Sequence, residues 1–117
     1  MPNAANDCRI DYVEFPVTNM ADTKRFYGDV FGWKFEDYGP EYTSFLDGRL
    51  AGGFRLEREI RQGGPLVVIY SSDLEGLEAK IKTAGGPIIR PIFSFPGGRR
   101  FHFTDPSGNE LAVWCDA

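Results

Sequence analysis

Two stretches of this 117-residue chain carry helical hydrophobic spacing, and the elements around each come in the same order. In "MADTKRFYGDVF" the residues Met20, Phe26, Val30 and Phe31 fall toward one side, Asn19 stands ready as the N-cap, and Gly32 stops the helix. In "LEGLEAKIKTA" the residues Leu74, Leu77 and Ile81 share a face, Asp73 is the cap, and Gly85-Gly86 ends the run. Each helix comes after one strand-like segment and precedes three. "RIDYVEFPV" leads the first, with Ile10, Tyr12 and Glu14 on one face and Asp11, Val13 and Phe15 on the other; "WKFEDY", "YTSFLD" and "RLAGGFRLE" come after it. "LVVIYSS" leads the second, and "PIIRPIFSF", "RRFHFTD" and "NELAVWCD" come after it. The polar segment "REIRQGGP", residues 58–65, reads as the linker between halves. The halves share element order rather than sequence. The expectation is a single α+β domain over residues 1–117. It is built from two βαβββ modules, about 9–57 and 65–115, whose curved mixed sheets enclose a cavity.

Local signals add detail. "LVVIYSS" has too many apolar residues in a row for a strand with one wet face. Pro91 predicts an edge position or a bulge, and Gly52-Gly53 a bulge or a close backbone approach that leaves room for a ligand beside Phe54. "DPSGN", residues 105–109, turns the chain between the last two strands.

Composition narrows the function classes. Apolar residues make up 42% and aromatics 15%, including ten Phe, which fits a packed interior or an apolar cavity. The net charge of -4 argues against nucleic acid as a partner. No run approaches the roughly 20 apolar residues of a membrane span, and "MPNAANDC" lacks the apolar centre of a signal peptide. Cys8 and Cys115 have no CxxC partners and read as free thiols in a reducing cytoplasm.

Three segments carry a family resemblance: "FPVTNMADTKRFYGDVFGW", "SSDLEGLEAKIKTAGG" and "FTDPSGNELAV". In this order and spacing the chain resembles the glyoxalase, bleomycin-resistance and extradiol-dioxygenase superfamily, the vicinal oxygen chelate fold, over nearly its whole length. The resemblance implies paired βαβββ modules that often associate as homodimers. It also implies, in metal-using members, a divalent cation held by His, Glu or Gln from strands of both modules. The corresponding positions here are Tyr12, Leu66 and Ala112. Leu and Ala offer no lone pair and Tyr is an uncommon ligand, so the expectation is the fold without its metal and without another cofactor.

The remaining candidates come from strand parity. His102, the only histidine, falls on the face of Ala112 and Trp114, and in ring-cleaving relatives its position points at the substrate. It is a candidate acid, base or anchor. Glu14, beside Tyr12, is a candidate base, or else the partner of Arg55, Arg90 or Arg100. Glu110 is expected to stay off the inner face, and a register slip of one residue is expected to leave it outward. Phe45, Phe54, Val68, Tyr70 and Trp114, with Tyr12, Leu66 and Ala112, are candidate ligand walls. The first functional reading is a protein that binds a small apolar or aromatic molecule. The alternative is a metal-independent lyase, isomerase or hydrolase acting on a carbonyl compound through His102 and Glu14. Third comes a metal-dependent lyase or dioxygenase with unusual ligands.

Overall fold

Both helices begin at the expected caps. The Asn19 side chain accepts the amide of Asp22 at 2.9 Å, and Asp73 accepts that of Gly76 at 3.1 Å. Gly32 ends the first helix in the left-handed region at φ 73°, which a side chain would disfavour. The computed structural model describes residues 3–117. A short 3-10 turn, Ala4–Asn6, precedes the first strand. The elements are then β1 (Tyr12–Val17), α1 (Met20–Phe31), β2 (Lys34–Asp37), β3 (Tyr42–Leu46) and β4 (Ala51–Leu56), and next β5 (Val67–Tyr70), α2 (Leu74–Thr83), β6 (Ile88–Phe95), β7 (Gly98–Thr104) and β8 (Glu110–Cys115).

Each module forms one four-stranded mixed sheet, ordered β1-β4-β3-β2 and β5-β8-β7-β6. The first and last strands of each module pair in parallel, and the rest are antiparallel. The two sheets do not close on each other. This is the α+β, twice-βαβββ architecture that the element order implies.

The helices cover one face of the sheets, and the core lies there. Val17, Phe26, Tyr27 and Phe54 from the first half join Leu74, Ile81, Phe101, Phe103, Leu111 and Val113 from the second in one continuous cluster. Phe26 packs against Phe103 across the modules with ring centroids 6.0 Å apart. Burying a side chain of this size stabilises by about 1.5–3 kcal/mol.

Tyr27 lies outside the set that helical spacing points toward the core, yet it is fully buried. Its hydroxyl donates to Asp105 Oδ2 at 2.9 Å. Asp105 opens the "DPSGN" turn, and its other oxygen accepts the amides of Ser107 and Asn109, both at 2.9 Å. Asn109 Nδ2 donates to the Pro16 carbonyl at 2.8 Å, and Ser107 Oγ accepts the Thr18 amide at 2.9 Å. The turn therefore does more than reverse the chain: it fastens the second module to the end of β1.

Two local expectations need correction. β5 is not buried on both faces: Val68 is 41% and Tyr70 53% exposed. It is an edge strand that packs one face against the core, through Val67 and Ile69, and leaves the other open, so its apolar run does not mark a doubly covered strand. The glycine pair makes no bulge, since β3 and β4 pair in unbroken register. The other expectation, a close backbone approach, is met at Gly52, where the Val13 carbonyl lies against the position a side chain would take, and side chains crowd both glycines as well. A methyl on Gly52 would collide with the Phe45 ring, and one on Gly53 with the hydroxyls of Tyr42 and Tyr12. The room these glycines leave is filled by the protein's own rings.

Pro91 has both expected consequences. β6 is the other edge of its sheet, and its pairing with β7 shifts register twice, between Ile88 and Arg90 and between Arg90 and Phe93.

Candidate functional site

The sheet face turned away from the helices carries the chemistry. On the second sheet it is built in cross-strand rows, because paired residues project to the same side. Val68, Ala112, His102 and Arg90 form one row across β5, β8, β7 and β6. Tyr70, Trp114, Arg100 and Phe93 form the next. Glu110, paired with Thr104, lies one row further along β8.

His102 is 7% exposed. Its Nδ1 lies 2.8 Å from Glu110 Oε2. An ionised carboxylate only accepts, so Nδ1–H donates, and in the neutral imidazole Nε2 keeps its lone pair. Nε2 is buried and has no hydrogen-bond partner among the described residues; Arg100 Nε, in the neighbouring row, shares that condition. A buried polar atom without a partner costs about 1–3 kcal/mol. A carboxylate-oriented imidazole with a free nitrogen is the arrangement of a positioned acid–base group or a hydrogen-bond anchor. The sequence does carry a signal for Glu110: residues 110, 112 and 114 share one parity along β8, so Glu110 faces the same side as Ala112 and Trp114.

Glu14 is engaged elsewhere. It accepts from Tyr42 Oη at 2.9 Å and from Arg55 Nη1 at 3.2 Å, so among its three candidate arginine partners Arg55 is the one it meets. Tyr42 Oη also lies 2.6 Å from Tyr12 Oη. Burial, and after it the bonds to Tyr12 and Glu14, pushes the Tyr42 hydroxyl well above the usual phenol range. His102 thus has Glu110 as its direct partner, not Glu14 or Tyr12.

The edge strands β1 and β5 flank a cleft. One part, about 370 Å³, is lined by Glu14, Pro16, Leu66, Asn109, Glu110 and linker residues around Gln62. Gln62 Nε2 donates to the Gly108 carbonyl at 2.9 Å and holds the linker there. A second part, about 470 Å³, is lined by Trp33, Phe45, Val68, Tyr70 and Trp114 among others. Tyr70 meets Trp114 edge-on at 5.5 Å and donates to Asp116 at 2.8 Å.

Of the sequence-derived walls, Val68, Tyr70 and Trp114 therefore meet at one cavity, reached by Phe45 from the core side. Leu66 and Glu14 line the other part. Ala112 is fully buried between Val68 and His102 in its row. Phe54 lies in the helix-side core, 5.0 Å from the Tyr27 ring and 4.9 Å from Phe45, and lines neither cavity.

The family's metal does not fit the donors present. Tyr12 is tied to Tyr42, Leu66 ends in an alkyl group, and Ala112 ends in a methyl. Among the described residues no three His, Cys, Asp or Glu side chains gather as a cation would need. No helix among them is long and apolar enough to cross a membrane.

Comparison with known proteins matches residues 9–113 to the Glyoxalase/Bleomycin resistance protein/Dioxygenase superfamily. The Anthracycline biosynthesis protein DauV of Streptomyces sp. (strain C5) is 30% identical over 117 residues, covering 82% of this chain and 42% of DauV. CFP32 of Mycobacterium tuberculosis, provisionally named a glyoxylase, is 25% identical over 115 residues, covering 89% of this chain and 44% of CFP32. The chain thus spans less than half the length of these curated relatives. Among solved structures, a glyoxalase/bleomycin resistance protein/dioxygenase family enzyme from Burkholderia phytofirmans PsJN superimposes with TM-score 0.82 at 16% identity, covering 92% of this chain and 100% of the other. A glyoxalase-related enzyme from Fulvimarina pelagi superimposes with TM-score 0.78 at 19% identity, covering 92% and 88%. At these identities the structures speak for the fold alone.

Proposed function

Because this chain belongs to the Glyoxalase/Bleomycin resistance protein/Dioxygenase superfamily, we propose that it binds a small organic molecule on the open face of its second sheet, without a metal. The observation that carries the reading is the buried, unpartnered Nε2 of His102, held by Glu110 beside Ala112 and one row from Trp114. A bound molecule that offers a proton to Nε2 recovers the cost of that lone pair. Trp114, Tyr70 and Val68 supply a surface for a flat or apolar portion. The reading places the protein in a reducing cytoplasm as a homodimer, in keeping with its unpaired cysteines and the exposed side chains of Leu66, Val68 and Tyr70.

The His102–Glu110 pair favours a second reading, a metal-independent enzyme acting on a carbonyl compound. His102 Nε2 takes a proton next to the carbonyl, and Glu110 steadies the imidazolium that forms. Glu14, held by Arg55 and Tyr42, is not the base in this version.

Screening carbonyl compounds and aromatic ligands against the purified protein, with elemental analysis of the same sample, tests both readings. Substoichiometric metal and a ligand whose affinity falls about 5–100-fold in His102→Gln, as for the loss of one buried hydrogen bond, support binding. Turnover that His102→Gln abolishes while binding persists supports the enzyme. Stoichiometric metal lost on that substitution overturns both.

A further inference from the structure

The open face of the second sheet contains an arrangement that a neutral ligand would not use. Although the chain is net acidic, Arg90 and Arg100 converge on Phe93 next to His102. The Arg90 guanidinium carbon lies 3.7 Å from the Phe93 ring centre, that of Arg100 lies 5.5 Å away, and the His102 ring centre 5.9 Å. A regular strand would send residues 90 and 93 to opposite faces. The register shift between them puts both on this one.

Neither arginine makes an ion pair among the described residues. The nearby carboxylates are already taken: Glu110 by His102, and Asp116 by Tyr70. Stacking on Phe93 leaves the in-plane N–H donors of a guanidinium free. The Arg100 Nε is moreover buried with no partner, as is His102 Nε2. An ordinary surface cation–π pair would leave its donors in water. Here Arg90 is exposed, while a donor of Arg100 and a ring nitrogen of His102 are buried without partners among the described residues.

Building on the small-molecule reading above, we infer that the ligand is an organic oxyanion, a carboxylate or phosphonate. Arg90 and Arg100 bind its anionic oxygens, His102 Nε2 accepts from a protonated oxygen or nitrogen of the same molecule, and its organic portion rests toward Trp114. Planar guanidinium forks suit such oxygens better than point charges do.

The single histidine gives a clean reporter. Protein labelled with 15N-histidine is titrated with phenylphosphonate, with the neutral analogue benzamide and with inorganic phosphate. The expected result is saturable movement of the His102 ring nitrogen signals by phenylphosphonate, with benzamide and phosphate each binding at least tenfold more weakly. Arg90→Gln and Arg100→Gln each weaken phenylphosphonate at least tenfold, and Arg90→Lys, which keeps the charge on a flexible stem, weakens it less. An unchanged urea midpoint in Arg90→Lys confirms that folding is not what changes. Equal affinity for benzamide and phenylphosphonate, or no loss in the two Gln variants, overturns the anion assignment while leaving small-molecule binding intact. Phosphate binding as tightly as phenylphosphonate overturns the organic part. Silence at His102 with all three probes counts against the anion site and against the parent reading alike.

Discussion

Tyr27→Phe is the most informative single substitution for the joint between the modules. It deletes one oxygen from a fully buried ring and keeps every aromatic contact, including stacking on Trp33 at 4.8 Å. The lost bond is Tyr27 Oη to Asp105 Oδ2, at 2.9 Å. A hydrogen bond to a charged acceptor contributes about 1.5–3 kcal/mol. Asp105 keeps its other donors, the amides of Ser107 and Asn109 and the Asn109 side chain at 3.0 Å. The expected cost is therefore at the low end, about 1.5 kcal/mol. Asp105→Ala strands the Tyr27 hydroxyl and two amides together, so it costs about 3 kcal/mol or more. Equilibrium urea unfolding is the assay. With a slope of about 1–3 kcal/mol per molar, Tyr27→Phe lowers the midpoint by about 0.5–1.5 M at unchanged slope. The pH dependence gives a second check. Burial first, then the Asp105 carboxylate, holds the Tyr27 hydroxyl well above its ordinary 10.0. A raised pKa contributes stability that is complete below the unfolded value and is lost as pH rises past it, so the variant loses less stability than the parent above pH 10. An unchanged midpoint in Tyr27→Phe would refute the idea that this bond bears on the joint.

Other outcomes are expected from the same structure. Glu110→Gln frees the His102 tautomer, so 15N spectra should show both ring nitrogens sharing the proton, and ligand affinity or turnover should fall several-fold; a spectrum identical to the parent's would count against a positioning role. Gly53→Ala pushes apart the Tyr12 and Tyr42 hydroxyls at a cost of about 1–3 kcal/mol, and ultraviolet titration should show the Tyr42 hydroxyl moving down toward the ordinary phenol range. The Thr43 hydroxyl first, and then Lys24, hold the Asp37 carboxyl below its ordinary 3.8. That contribution is present above 3.8 and fades as pH falls through the lower folded value, and Thr43→Val should raise the Asp37 midpoint in an NMR acid titration. Light scattering should return a dimer mass, and a monomer mass over a wide concentration range would defeat that expectation.

The modules, the caps and the parity of His102, Ala112 and Trp114 are legible because each is a local rule. Asn19 and Asp73 cap the helices that begin directly after them, and side chains alternate along β7 and β8 wherever pairing is regular. The features that the chain order hides are set by tertiary position. β5 reads as a doubly covered strand, and only its place at a sheet edge exposes Tyr70. Arg90 and Phe93 share a face through an irregularity whose site Pro91 marks but whose outcome the chain order does not declare. Tyr27 is buried because a turn nearly eighty residues away supplies its acceptor. Glu110 is the instructive error: expected off the inner face, it stands on the face of His102, because the parity that places His102 and Trp114 applies to it equally.

The interrupted pairing of β6 also bears on how copies of this molecule can meet. Two open sheets have four free edges, at β1, β2, β5 and β6, and each offers unpaired amides to any passing strand. At β6, Pro91 removes one amide and the irregular backbone misaligns others. At β1, Pro16 lacks an amide, and its carbonyl is already claimed by Asn109. β2 is four residues long and carries Lys34, Glu36 and Asp37. β5 alone has neither proline nor charge, and its side chains Val68 and Tyr70 stand exposed. Strand-to-strand association therefore has one good place to begin. An edge that meets its own copy antiparallel is used up in the meeting, so growth stops at two molecules instead of continuing into a fibre.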